Sequence, residues 1–318
     1  MSDNVHRECV YLSDTWGIHD QRWCAALESL GYSVTRELHQ DLAPNVPIIA
    51  GPLTTINPKL IDLPNPVIGL SWGFDLHQLS AQGTTAWLST LSGLIVDSEP
   101  TWNIAREAGL PADRLALIPW GIDLSLFTSM KTTSGGQALR ILTLRAHEPL
   151  YRVETVVHAV SLLNACGIDS ELIIGNGGSL TEELMELART LKLTNIKFIG
   201  RVQEHELPEL FDSADVYVSA AETDGTSVTL LQAMCMGVPV VVSDSPGNIA
   251  VITDAHGTPQ RGTLFRTGNA QSLAQALIQV HHDHDNTEKL AAAARDYVHA
   301  EADWSKNIVK LVPLLEPN

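Results

Sequence analysis

The chain has 318 residues, of which 44% are apolar and 18% charged, so it is long enough for two globular domains and too apolar to be disordered. Its 20 Lys and Arg residues against 37 Asp and Glu residues give a net charge of −17. That excess argues against a nucleic-acid-binding protein or one bound to anionic membranes, because both need clustered basic residues.

The sequence also indicates the cellular compartment and whether the chain crosses a membrane. No apolar run is long enough to cross a bilayer, and the first residues lack the apolar core of a signal peptide. The four cysteines are far apart and form no C-x-x-C pair, so we expect no zinc site and no disulfide framework. The sequence therefore predicts a cytoplasmic protein without a transmembrane segment.

In the first part of the chain, short apolar runs alternate with helical patterns, which is typical of α/β proteins with parallel sheets. The predicted helices are Asp20–Leu30 and Thr101–Ala108. The predicted strands are Cys9–Leu12, Pro47–Ala50, Val67–Leu70, Gly93–Val96 and Ala116–Pro119.

A small, polar stretch with Gly-Gly at residues 128–137 interrupts this pattern and predicts a flexible hinge. A second α/β series follows it, and we predict two domains, residues 1–127 and 138–302, with a helical segment at 303–318 that packs on the domain body. Ligands of such folds bind beyond the carboxyl ends of the strands. The second series has predicted strands at Leu139–Leu144, Glu171–Gly175, Ile196–Phe198, Val216–Val218 and Val238–Val242.

The loop Asp224-Gly225-Thr226-Ser227 is a candidate anion site, because it follows a predicted strand and opens a predicted helix at Val228. Free N–H groups and the positive end of the helix dipole attract an anion there, and the glycine lets a ligand approach the backbone. A simple helix N-cap by Thr226 or Ser227 explains the same residues.

Two further elements end predicted strands of the second domain. Arg145, with Arg152 seven residues later, suggests an anionic ligand such as a diphosphate, although a surface salt bridge with Glu148 or Glu154 is the alternative. The Gly-rich turn at 175–178 follows another strand, but a tight turn needs glycine with or without a ligand.

These elements occur in the order found in a known family. Ser219–Pro246, with the run QAMCMGVPVV at 232–241, resembles the donor-site signature of the retaining glycosyltransferases of the GT-B fold (family 4, glycosyl transferases group 1). Four other segments resemble that family in the same order: Ile118–Asp123 with Phe127, Leu144 with Arg145, Ile173–Gly177, and Phe198–Val202 followed by 207–214.

The resemblance implies an α/β protein of two Rossmann-like domains facing each other across a cleft. The first domain would bind the acceptor and the second a nucleotide-diphosphate sugar, and the 303–318 helix would cross back to the first domain. The implied activity is transfer of a hexose with retention, without a metal or cofactor. A UDP-sugar is the favoured donor and a GDP-sugar the alternative; the acceptor is a glycan, a small molecule or a lipid-linked compound.

The resemblance also implies residue roles. Arg145 would hold the donor diphosphate, and the amides of Gly225, Thr226 and Ser227 would meet the sugar and the distal phosphate. Further donor contacts would come from the Gln232 carbonyl to the ribose, the main chain at Gly200 and Val202 to the base, the turn at Gly175, and Gly17 near the diphosphate.

Two departures from the family pattern bear on function. Asp224 and Gln232 stand where the family usually has paired glutamates, and Leu150 stands where it has a lysine, so Arg152 is expected to take the lysine's role. These changes leave two alternatives open: an inactive glycosyltransferase-like partner protein, or a sugar-nucleotide epimerase of the same fold. The HHDHD run at 281–285 is predicted to be a solvated loop and not a metal site.

Overall fold

The computed structural model describes residues 7–14, 16–39, 41–128, 138–223 and 225–316. They form two units, one containing the chain up to Trp120 together with the segment from Trp304, the other running from Gly121 to Asp303. Of the predicted hinge at 128–137, only Thr128 is among the described residues.

The N-terminal unit is built on a parallel sheet of six strands. Its spatial order is β2-β1-β3-β4-β5-β6, with every described pair parallel. The central strands carry continuous buried runs, as expected for a sheet covered on both faces. The strands are β1 (Arg7–Leu12), β2 (Tyr32–Thr35), β3 (Ile48–Ala50), β4 (Val67–Leu70), β5 (Gly93–Val96) and β6 (Leu115–Leu117).

Three helices of this unit follow strands: α1 (Ile18–Ser29), α2 (Phe74–Ala81) and α3 (Glu99–Glu107). The start of α3 shows how the sequence sets a boundary. Ser98 is its N-cap and donates its backbone N–H to Thr101 Oγ1, while Pro100 lies in the first turn, where its missing N–H costs nothing.

The C-terminal unit repeats the architecture with the order β12-β11-β10-β7-β8-β9, again parallel in every described pair. The carboxyl ends of all these strands therefore lie at one edge of the sheet, which is the edge that carries the candidate site. The strands are β7 (Leu139–Thr143), β8 (Ser170–Gly175), β9 (Ile196–Gly200), β10 (Val216–Ser219), β11 (Val240–Ser243) and β12 (Thr263–Phe265).

Apolar side chains pack in two clusters of this unit. Residues of α4, α5 and α9 form one cluster with β7, β8 and β10, and residues of α6, α7, α8 and α10 form the other with β7, β10 and β11. The helices are α4 (Val153–Ala165), α5 (Thr181–Thr190), α6 (Leu207–Ser213), α7 (Val228–Cys235), α8 (Pro246–Ile252), α9 (Ala270–His282) and α10 (His284–Glu301).

The C-terminal segment belongs to the N-terminal unit. Instead of one helix it forms α11 (Trp304–Asn307), a 3₁₀ turn over Ile308–Leu311, and α12 (Val312–Leu315), with Pro313 in the first turn of α12. The Trp304 ring stacks on Trp120, with ring centroids 5.7 Å apart, and meets Trp23 edge-on at 5.1 Å.

The structure differs from the sequence-based prediction at the sheet edges and in one connection. The strands β2 and β12 were not predicted, because Tyr32–Thr35 mixes polar with apolar residues and Thr263–Phe265 has only two apolar residues in a row, so neither forms a continuous apolar run. The prediction of a loop at 281–285 was wrong. These residues are helical except at Asp283, whose side chain accepts a hydrogen bond from the Asn286 N–H and caps α10. Among the helices of the described ranges, none has both the length and the apolar character needed to span a bilayer.

Candidate nucleotide-sugar site

Arg145 lies two residues beyond the end of β7, a central strand of the C-terminal sheet. The side chain is only 8% exposed. Its Nη1 donates to Ser227 Oγ at 2.5 Å and lies 3.5 Å from Thr229 Oγ1. A buried cation at the end of one strand thus meets the loop that follows the neighbouring strand β10.

The head of α7 is the second part of the site. Ser227 is the N-cap of this helix, and its Oγ accepts the Leu230 N–H at 3.4 Å. Gly225 and Thr226 precede it and are partly exposed. The first N–H groups of a helix have no intrahelical acceptor, so this loop presents donors beside the guanidinium. Asp224 lies outside the described residues.

A chain of hydroxyl groups connects the cation to the sheet. The fully buried Tyr217, on β10, places its hydroxyl 2.8 Å from Thr229 Oγ1, which lies 3.2 Å from Ser227 Oγ. Neither Thr229 nor Tyr217 was predicted as a site residue. The order of elements could have indicated Thr229, since it lies in the first turn of the helix that the loop opens.

Arg152 pairs with carboxylates, whereas Arg145 contacts hydroxyl groups. Its side chain is 41% exposed and pairs with Glu222, and more loosely with Glu154 at 3.6 Å. The pair with Glu154 is the surface salt bridge of the alternative interpretation. Because Glu222 precedes the 225–227 loop, Arg152 ties the β7–α4 connection to the β10–α7 connection.

The Gly-rich turn after β8 packs against the segment that follows β7. The His147 N–H donates to the Gly177 carbonyl at 3.0 Å, and a Cβ on Gly178 would lie 2.6 Å from the His147 carbonyl oxygen. A Cβ on Gly175 would lie 2.5 Å from the Leu144 side chain. Chain packing alone therefore accounts for Gly175 and Gly178.

His147 adds no positive charge to this edge of the sheet at neutral pH. Its ring is buried, and its Nδ1 lies 2.9 Å from Thr181 Oγ1. Burial lowers the pKa of the imidazole below its ordinary value, so the ring is neutral.

Gly200 and Val202 lie at the end of the edge strand β9. Gly200 has φ +69°, a left-handed conformation that favours glycine, and its carbonyl accepts the Asn176 N–H at 2.5 Å. Val202 is partly buried against one of the two apolar clusters. Gly200 ends β9 and Val202 follows it, so both lie at the same edge of the sheet as Arg145.

Gln232 lies on α7 and is 4% exposed, and its Oε1 has no hydrogen-bond partner among the described residues. The same holds for three buried hydroxyls at the carboxyl edge of the sheet: Thr143, Ser219 and Ser245. Buried polar atoms normally have a partner, so an unpaired acceptor at this place fits a ligand that donates hydrogen bonds.

Gly17 belongs to the other unit. It is the N-cap of α1, and its N–H donates to Asp20 Oδ2 at 2.6 Å, while Asp20 Oδ1 accepts the Tyr11 hydroxyl at 2.9 Å. The remaining predicted contacts, apart from Asp224, all lie in the C-terminal unit.

The histidine-rich run in the α9–α10 connection brings three rings close together. The ring centroids of His281 and His282 are 5.1 Å apart, and those of His281 and His284 are 6.4 Å apart. Within the described part of the chain, no group of three or more His, Cys, Asp or Glu side chains is arranged to hold a metal ion.

Known proteins share this sequence pattern and this fold. A mannosyltransferase of Corynebacterium glutamicum, GDP-mannose-dependent and named for a monoacylated phosphatidylinositol monomannoside, is 27% identical over 163 residues, which are 49% of this chain and 41% of that protein. HepE of Anabaena, solved with UDP and glucose, has a TM-score of 0.73 at 16% identity, covering 98% of this chain and 99% of that one. Sucrose-phosphate synthase of Thermosynechococcus elongatus has a TM-score of 0.71 at 17% identity, covering 97% and 98%.

The chain spans about half the length of the curated relatives it matches, between 41% and 56% of the first three. The two solved structures share the fold of this chain. The family model described as "Glycosyl transferases group 1" matches residues 130–297, which is more than half of the chain and covers the whole site edge. The chain therefore belongs to the family of glycosyl transferases group 1.

Proposed function

We propose that the protein is a retaining glycosyltransferase that moves a hexose from a nucleotide-diphosphate sugar to an acceptor held by the N-terminal unit. The observation that carries this proposal is the 2.5 Å contact between Arg145 Nη1 and Ser227 Oγ. It brings together a cation and a helix head that lie 82 residues apart in sequence, and both favour an anion.

The proposed chemistry follows from where charge develops. Negative charge builds on the donor diphosphate as the glycosidic bond breaks. Arg145 and the amides of residues 225–227 would stabilise it, because fixed donors in a site of low dielectric constant need no reorganisation. We therefore propose that transfer does not depend on a divalent cation, since these groups would take its electrostatic role.

The nucleoside would lie along the neighbouring elements. The buried Oε1 of Gln232 would accept a hydrogen bond from a ribose hydroxyl, which would give this atom the partner it lacks in the described structure. The main chain at Gly200 and Val202 would contact the base. The ribose contact is compatible with a neutral amide at position 232 in place of a carboxylate.

The proton of the acceptor hydroxyl would go to the departing diphosphate, so that the hydroxyl oxygen forms the new glycosidic bond on the face from which the diphosphate leaves. This route needs no dedicated protein base. Arg145 would then hold the diphosphate in both of its roles, as the leaving group and as the proton acceptor.

The donor is proposed to be a UDP-sugar, with a GDP-sugar as the alternative. Neighbours in fold were solved with UDP, and relatives in sequence are named as GDP-mannose-dependent. The acceptor is proposed to be a glycan, a small molecule or a lipid-linked compound, and several of the sequence relatives are named for phosphatidylinositol mannosides.

The test is a thermal-shift panel of UDP, GDP and ADP, followed by mass spectrometry of products formed from the matching sugar-nucleotides. We expect one nucleotide to raise the melting temperature, and EDTA to leave turnover unchanged. Arg145→Ala should abolish the shift, whereas Arg189→Ala should not, because it removes an exposed cation paired with Glu186 on α5. Failure of every nucleotide to shift the wild-type protein would contradict the proposal.

A further inference from the structure

We infer that Tyr151 is the positioning residue for the cation of the donor site. The Cζ atom of Arg145 lies 4.3 Å from the centroid of the Tyr151 ring, within the range of a cation–π contact. The inference rests on the proposed function, since it assigns to this ring the task of preparing Arg145 for a diphosphate.

The ring and the hydroxyl network hold different parts of the guanidinium. Ser227 accepts from its Nη1, while Tyr151 covers the central carbon. An arginine side chain has many rotamers, and fixing them on binding costs free energy. With these contacts and a side chain that is only 8% exposed, Arg145 has lost most of that freedom before a ligand arrives.

The backbone fixes Tyr151 in turn. It ends a 3₁₀ turn over Pro149–Tyr151, in which its N–H donates to the Glu148 carbonyl at 2.9 Å. The Leu150 carbonyl accepts the Glu222 N–H at 2.9 Å, which attaches this turn to the β10–α7 connection.

The next residue anchors the other end of the turn. Arg152 has φ 49°, a left-handed conformation that is uncommon for a residue with a side chain, and it pairs with Glu222. Arg152 therefore acts on the site through the loop that carries Tyr151, and its charge is engaged by carboxylates.

The local charge balance explains why a ring is useful here. Leu150, which takes the lysine's place in the resemblance, is 41% exposed and brings no charge, and the His147 ring is neutral. Glu148 is occupied by the backbone N–H and hydroxyl of Ser179. Arg145 is the buried cation among the described residues at this edge, and an aromatic face strengthens the site by orienting and desolvating it instead of adding a second charge.

The experiment replaces Tyr151 with phenylalanine and then with phenylalanines carrying one, three and five ring fluorines, and measures UDP and GDP binding calorimetrically on the full chain. Fluorine withdraws electron density from the ring face while nearly preserving its shape. We expect Tyr151→Phe to bind within about twofold of wild type, and the fluorinated series to weaken stepwise by up to about tenfold.

A flat series would overturn the inference, because a purely space-filling ring is insensitive to fluorination. Tyr151→Leu is a second test, because it removes the ring. This variant should bind nucleotide at least as weakly as the most fluorinated one, and wild-type affinity in it would also overturn the inference. Melting temperatures without nucleotide check that each variant is folded. If wild type itself binds neither nucleotide, the proposed function fails; if it binds and the series is flat, only the role of Tyr151 fails.

Discussion

Ser227 connects the helix head to the buried cation, because its hydroxyl oxygen accepts hydrogen bonds from both the Leu230 N–H and the Arg145 guanidinium. We expect Ser227→Ala to lower the free energy of unfolding by about 1 kcal/mol through loss of the N-cap. It should also weaken nucleotide binding, since Arg145 loses an anchor. Urea unfolding and calorimetric titration measure the two effects.

Ser227→Thr is the matched control, because threonine keeps a hydroxyl that can cap the helix. It should restore most of the stability and binding lost in Ser227→Ala. Equal losses in both variants would show that the hydroxyl is not the group that matters.

The cysteines differ in their expected reactivity. Burial raises the pKa of Cys9 to about 12 and that of Cys235 to about 11, whereas Cys166 is exposed. The thiolate is the reactive form, so iodoacetamide at neutral pH should label Cys166 first and leave Cys9 and Cys235 unlabelled until the protein unfolds. Mass spectrometry after short labelling checks this order, and early labelling of Cys235 would contradict it.

The turn after β8 contains two adjacent glycines with different surroundings. A Cβ on Gly178 would lie 2.6 Å from the His147 carbonyl oxygen, whereas one on Gly177 would meet only Thr181 Oγ1 at 3.8 Å. Gly178→Ala should therefore destabilise the protein by about 1–3 kcal/mol through overpacking, and Gly177→Ala by much less. Thermal and urea unfolding of the two variants compare them, and equal stability would refute the packing explanation.

The elements most accurately predicted from sequence are the buried central strands. Strands such as Val67–Leu70 and Gly93–Val96 have the predicted bounds, because a strand buried on both faces must be continuously apolar. The edge strands β2 and β12 were not predicted, since both contain polar residues and neither forms such a run. The C-terminal segment was predicted as one helical stretch, and a 3₁₀ turn divides it.

The candidate site was predictable at the level of strand ends and loops. Parallel strands bring their carboxyl ends to one edge, so Arg145 and Ser227 could be expected near each other. The contacts of Tyr151 with Arg145 and of Glu222 with Arg152 could not, because they depend on how two connections meet across 70 residues or on the rotamer of a long side chain.

The chain returns at Trp304 to complete the N-terminal unit. Trp304 packs on Trp120 and Trp23, and Glu316 accepts the Tyr32 hydroxyl at 2.9 Å. We expect Trp304→Ala to lower the stability of the N-terminal unit by about 2–4 kcal/mol, because it leaves a cavity beside two large rings.

Amide hydrogen exchange, followed separately for each strand, measures this loss of stability in Trp304→Ala. Exchange should accelerate in β5 and β6 and stay unchanged in β7 and β10. Val309→Ala is the control, because Val309 is 54% exposed and its truncation removes little packing. Acceleration confined to β7 and β10 would contradict the assignment of the segment to the N-terminal unit.

We propose that this protein of net charge −17 uses a buried arginine and a helix head to hold a diphosphate. A crystal structure of the full chain with UDP or GDP tests it most directly. We expect diphosphate oxygens within about 3 Å of the Arg145 guanidinium and of the amides at 225–227, in the range of charge-assisted hydrogen bonds. A nucleotide bound with its diphosphate away from Arg145, on any other surface of the chain, would contradict it.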